Sequence, residues 1–316
     1  MRDEQKTSAP LETPPSASLE TPPSASLETP PSASLERPPA PAERPPAPAA
    51  PWDTARLPRR LLSDALAAGC AGALVAPVIT VIDKGIMENA SGRLPLGESL
   101  RTSAREMLSR PARFVGSRPF ALIFSLYFGT YLTANAIDTL ASARAHTSYS
   151  ATTAGSTKFV ATSSANLALC LYKDSQFTQL FGARGPARPV PLPTFALFTV
   201  RDCLTIFASF NLPPLLAPRL EGHMSEQLSR FVAAASLAQF ATPAAIQVVS
   251  TPLHLLGLDL YNRPAAPLGG PDGRVGQVVK NWAKSAVARM GRIVPAFGVG
   301  GVVNTKVRRG LMEGLE

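Results

Sequence analysis

The chain has 316 residues, of which 45% are hydrophobic and 17% charged, and it carries a net charge of +9. That balance would suit nucleic acid, but the charges lie between long apolar runs rather than in a basic patch with interleaved aromatics, so no nucleic-acid partner is expected. Three cysteines without paired spacing and three scattered histidines argue against a disulfide framework and a metal centre.

From Leu11 the unit Leu-Glu-Thr-Pro-Pro-Ser-Ala-Ser recurs every eight residues, then decays into Arg-Pro-Pro repeats near Arg37 and Arg44. Such a tract buries too little surface to offset chain entropy, which predicts a disordered, polyproline-like tail over residues 1–58. A multi-pass helical membrane domain is expected over 59–316. The start lacks a secretory h-region and an Arg-rich transit pattern, so targeting is expected to be internal.

Ala65–Ile82 is uncharged and long enough to span a bilayer. Gly69 and Gly72 suit close packing, Pro77 lies within it, and Asp83-Lys84 ends the run. Leu100, Ala104, Met107 and Leu108 then alternate with Arg101, Arg105, Glu106 and Arg110 at helical spacing, which predicts an interfacial amphipathic helix. Phe120–Ile137 is a second uncharged run. Asp138–Lys158 reads as a polar loop.

The next two segments hold charge at mid-length: Lys173-Asp174 in Phe159–Gly182 and Arg201-Asp202 in Leu192–Ala217. Ionisable groups at that depth should face the interior and pair. A short Pro-rich break over 185–191 makes these segments antiparallel neighbours, and the two dipeptides reach similar depth. Two crossed pairs follow as an expectation, Lys173 with Asp202 and Arg201 with Asp174. Phe231–Leu258 is a fifth segment, with Gln247, Ser250 and His254 as a polar stripe and Asp259 beyond. Val275–Arg289 reads as a second interfacial helix, and Ile293–Thr305 as a short sixth segment. Its Gly298-Val299-Gly300-Gly301 is expected to serve helix packing rather than phosphate binding. The three cysteines, Cys70, Cys170 and Cys203, are expected as small buried thiols. Six crossings put both termini on one side, and a modest excess of Lys and Arg places the long loops on the negative side.

The expected class is therefore an all-α polytopic membrane helix bundle. No catalytic constellation, cofactor or metal is expected, and the chain does not read as an enzyme. The candidate substrate or ion-pair centre is Lys173, Asp174, Arg201, Asp202 and His254. Its expected partners are the lipid bilayer and a small anionic solute, met by Arg201 and Lys173. The alternative is a non-transporting membrane component in which the charges form only a latch.

Three helix pairs with amphipathic connectors, with Pro77 and Pro252 on odd-numbered helices and Arg292-Ile293-Val294-Pro295 before an even one, resemble the mitochondrial carrier superfamily in layout over about residues 60–310. The motifs are degenerate. Asp83-Lys84 is displaced from Pro77, His254 and Gly257 stand where charged residues belong, and the third segment has no such proline. Whole phrases resemble an uncharacterised fungal "sequence orphan" family of mitochondrial membrane proteins. These are Tyr172-Lys173-Asp174, Ser250-Thr251-Pro252-Leu253-His254 and Pro295-Ala296-Phe297-Gly298. These resemblances imply carrier-like transport and a mitochondrial membrane, the inner one above all.

Overall fold

Helices alone make up the regular structure of the described residues, 52–153, 155–183, 189–225, 234–270 and 272–316 of a computed structural model. The repeat tract up to residue 51, the break at 184–188 and the start of the expected fifth segment lie outside these residues. Contacts divide the chain into Met1–Ala49 and Ala50–Glu316, and every described residue lies in the second.

α1, Leu57–Ala90, starts with Pro58 in its first turn, where a missing N–H is harmless. One face of α1 is built from small residues: Ala67, Ala68, Ala71, Gly72, Val75 and Ala76 are all buried. This lets α4, Arg118–Ala145, pack closely along it. A Cβ on Gly72 would lie 3.3 Å from the Phe128 amide nitrogen, whereas Gly69 faces open space. Only one of the two glycines expected to serve packing does so. The opposite face of α1 exposes Leu62, Leu66, Leu74 and Val78. Apolar side chains outside and Asp64, Asp83, Asp174 and Arg201 inside is the pattern a lipid solvent requires.

α2, Leu96–Ser109, is the expected amphipathic helix. Met107 packs against the core, while Leu108 stays outward. After a short α3, Pro111–Val115, Ser117 caps α4 by accepting from the Phe120 amide. Phe120, Phe124 and Phe128 stack at successive turns of α4. α4 runs well past Ile137, so Asp138 is a buried helical residue and the expected loop begins only at His146. Burial of Asp138 is matched by Lys158 at 2.8 Å, and the Thr153 amide donates to the same carboxylate.

α5 spans Ser156–Phe181 and α6 Leu192–Phe210. α7, Leu212–Glu221, restarts the chain where Pro213 falls in the first turn, so the fourth segment breaks at Asn211 instead of running to Ala217. α8 covers Ala234–Asn262, and α9 covers Arg274–Gly291. A π-helical turn, Val294–Gly300, joins α9 to α10, Gly301–Glu313. The expected interfacial helix and short sixth segment are thus one nearly continuous helical run over 274–313.

Among the described residues, four helical stretches are long and apolar enough to cross a membrane: α1, α4, α6 and the run Arg274–Glu313. α5 and α8 are also long, but polar side chains interrupt their apolar runs, Lys173 and Asp174 in α5 and Gln247, His254 and Asp259 in α8. Packing separates two groups. α1 holds α4 and α10, and α5 lies on α4; α8 holds α6, α7 and α9. The 274–313 run passes from the second group to the first.

Candidate functional site

Where the two groups meet, charges that are buried except for the half-buried Arg292 alternate in sign along a continuous chain. Arg292, at the end of α9, reaches Asp83 of α1 at 2.7 Å. The other oxygen of Asp83 accepts from Lys173 of α5 at 2.8 Å, and Lys173 also pairs with Asp174. Asp174 then accepts from Arg201 of α6 at 2.6 Å. Arg201 ends the chain: its Nε and Nη2 hold Asp202 Oδ1, and its Nη1 lies 2.7 Å from His254 Nδ1 on α8. Because a guanidinium only donates, His254 Nδ1 accepts, which puts the ring proton of the neutral imidazole on Nε2. Phe198 and Phe177 shield the chain, with Arg201 over one ring and Lys173 over the other.

All five residues expected at the centre are therefore together and buried. Of the two crossed pairs, Arg201 with Asp174 is present. Lys173 turns to Asp83 rather than Asp202, because α1 runs on to Ala90 and brings Asp83 alongside α5. Sequence reading left Asp83 at the end of an apolar run, Arg292 in a helix-start motif and Arg289 on an interfacial helix. Structure puts all three at the centre. The signal available was numerical: the four charges of the two mid-segment dipeptides neutralise one another, while the helix ends around them are rich in further ionisable groups.

A cavity of about 190 Å³ opens directly on this chain. Its wall includes Lys173, Arg201, Asp202, Gln247, Arg289 and Arg292, with Thr130, Tyr131, Asn166 and Cys170 completing the polar rim. Cys170 is thus the buried thiol expected, whereas Cys70 and Cys203 face outward. Tyr131 and Thr130 also line a second cavity of about 710 Å³, which reaches Lys158 and Asn211. The two together lead from the charge chain toward the end of the bundle where α5 begins and α6 stops. Tyr131 is positioned by the π turn, whose Ala296 carbonyl accepts its hydroxyl at 2.7 Å. A Cβ on Gly300 would meet that hydroxyl and lie 2.7 Å from Val75. Packing is therefore what this glycine serves, as expected.

A second polar cluster lies toward that same end. Arg308 of α10 holds Asp64 of α1 at 2.8 Å, and Thr139 of α4 donates to the same carboxylate at 2.6 Å. Asn135 and Asn304 exchange reciprocal hydrogen bonds at 2.9 Å. Arg60 donates to the Thr139 carbonyl and to Ser142, lies under the Tyr149 ring and has Asp53 at 3.7 Å. Outside the spanning segments, Ser148 and the Tyr149 amide hold the Glu316 carboxyl below its ordinary range.

Compared with known proteins, the chain matches a family model described as "Probable citrulline exporter" over residues 67–312. Neither the curated proteins nor the solved structures contain a significant match. The matched span takes in α1 beyond its first turns through most of α10, including every residue of the charge chain.

Proposed function

We propose that this chain, which belongs to the probable citrulline exporter family, carries a small amino acid across its membrane through the space between the two helix groups. The carrying observation is the cavity seated on a salt-bridge chain that links one group to the other. The chain of charges closes the bundle toward the end where α1 and α5 finish, while the two cavities lead to the opposite end. Breaking and remaking Arg201–Asp174 and Arg292–Asp83 would then expose the cavity to each side in turn, at a cost that a bound solute offsets.

Citrulline, named by the family description, is a zwitterion rather than the small anionic solute expected, and its carboxylate is the part proposed to meet the basic centre. The phrases around Tyr172-Lys173-Asp174 are the ground for proposing a carrier-like cycle in a mitochondrial membrane, the inner one. The Pro-rich 1–58 tail is proposed as separate from the transporting domain, 59–316. Lys173, Asp174, Arg201, Asp202 and His254 are proposed as gate and binding-site wall.

The test is counterflow of labelled L-citrulline in proteoliposomes loaded with unlabelled citrulline. Uptake above protein-free vesicles, lost in Asp174→Asn with the fold retained, is the expected result. No uptake by protein that melts cooperatively would overturn the transport reading and favour the charge chain as a latch.

A further inference from the structure

The central charges do not balance. Asp83, Asp174 and Asp202 face Lys173, Arg201, Arg289 and Arg292, so the cluster holds one cation more than its carboxylates. Three of the cations have a carboxylate in salt-bridge reach. Arg289 is the exception: it is 5% exposed, and among the described residues its side chain meets only the Gln247 amide oxygen, 2.9 Å from Nε. Gln247 is itself held, accepting from Ser250 and donating to the Pro243 carbonyl. That leaves Arg289 aimed but without an acceptor for either Nη group. Burying a cation without a counter-charge is strongly unfavourable, so a site built this way calls for an anion.

The same cavity wall holds the opposite deficiency. Asp202 is 9% exposed; its Oδ1 is taken by Arg201, and its Oδ2 is buried without a donor. Both residues line the 190 Å³ cavity. An uncommitted guanidinium and, once the Asp202 carboxylate turns its sealed Oδ2 toward the space, an uncommitted carboxylate oxygen are complemented by a molecule that carries both charges. We propose that this cavity binds the head group of a zwitterionic α-amino acid, with its carboxylate on Arg289 and its ammonium on Asp202 Oδ2, Gln247 acting as the positioning residue for Arg289.

This assignment rests on the transport reading and adds the residues that hold the solute and its orientation. It also sets selectivity. Thr130, Tyr131, Asn166 and Thr205 supply polar but uncharged wall for the side chain, which suits a neutral hydrogen-bonding group such as a ureido. A dicarboxylate would bring a second negative charge toward Asp202, and a diamine would add to the surplus of cations.

The experiment is calorimetric binding to the full-length protein in nanodiscs, with L-citrulline, its methyl ester and its N-acetyl derivative as probes. The wild type should bind the ester and the N-acetyl compound roughly tenfold to a hundredfold more weakly than citrulline, the value of one charge-assisted contact. In Arg289→Gln the acid and the ester should bind alike; in Asp202→Asn citrulline and its N-acetyl derivative should bind alike. Wild type that binds acid and ester equally overturns the proposal whatever the variants do, so a variant that fails to fold does not protect it. A full ester penalty kept by folded Arg289→Gln also overturns it, while citrulline binding by the wild type leaves the transport reading standing. Wild type that neither binds citrulline nor shows counterflow overturns both.

Discussion

The two buried polar clusters share α1 and the 274–313 run, and Asp64 and Asp83 lie about 28 Å apart along α1, yet they are built on opposite terms. Near Asp64 each charge has a local counter-charge: Arg308 with Asp64, Lys158 with Asp138, Arg60 with Asp53. The helices there, α1, α4 and α10, belong to one packed group, and neutral amides fill the gaps. At Asp83 the charges are shared, each acidic group serving two cations or a cation already shared, and the chain crosses between groups. One cation is left over beside a cavity. A balanced cluster within one group is suited to fixing helix register; the unbalanced one between groups is the one proposed to take a solute and to part.

The sharpest way to break the central cluster is Asp174→Ala. It removes the carboxylate that Lys173 and Arg201 share and leaves each with a single acidic partner, Asp83 and Asp202, and a loss of about 3–5 kcal/mol is expected, read as cooperative melting in detergent. Next, Arg308→Met alone should cost a comparable or slightly smaller amount, whereas Asp64→Leu with Arg308→Met should recover most of it and keep citrulline counterflow. Removing both partners of a buried pair is often close to neutral. If the double variant folds but stops transport, the Asp64 cluster is a second gate and the comparison fails. The smallest effect is Gly300→Ala, whose methyl meets Tyr131 and Val75. A loss of about 1–3 kcal/mol is expected, with weaker citrulline binding as Tyr131 shifts on the cavity wall. Gly69→Ala, in open space, is its silent control.

Much of this was legible in the residues, and what was not has a common cause. The uncharged runs located α1 and α4, apolar runs around a charged dipeptide located α5 and α6, and equal depth on neighbouring helices located the Arg201–Asp174 pair. Hydropathy, however, reads a charge at the end of a run as a membrane boundary. Asp83, Arg289 and Arg292 all sit at such ends, but their helices continue beyond them, α1 to Ala90 and the last run to Glu313. They are therefore interior groups that look terminal. Asp138 was missed in the same way. The adjacent Lys84 shows why dipeptides mislead: a step of one residue on a helix turns it away from Lys173, toward Glu106 of α2.

The π turn at Val294–Gly300 carries a consequence of its own. Upstream of it the run points Arg289 and Arg292 into the cavity; downstream it points Asn304 and Arg308 at Asp64 and Asn135. An i→i+5 turn winds more slowly than an α-helical one, so the segment acts as a phase shifter between the two ends. Rewinding it as α-helix with all its residues kept would swing everything after it by about 100°, whereas taking out one residue along with the rewinding would leave both ends facing nearly as they do now. With every residue kept, one end could stay docked only if the other came undone. The spacing between Arg292 and Asn304 is in this sense an angle written as a residue count.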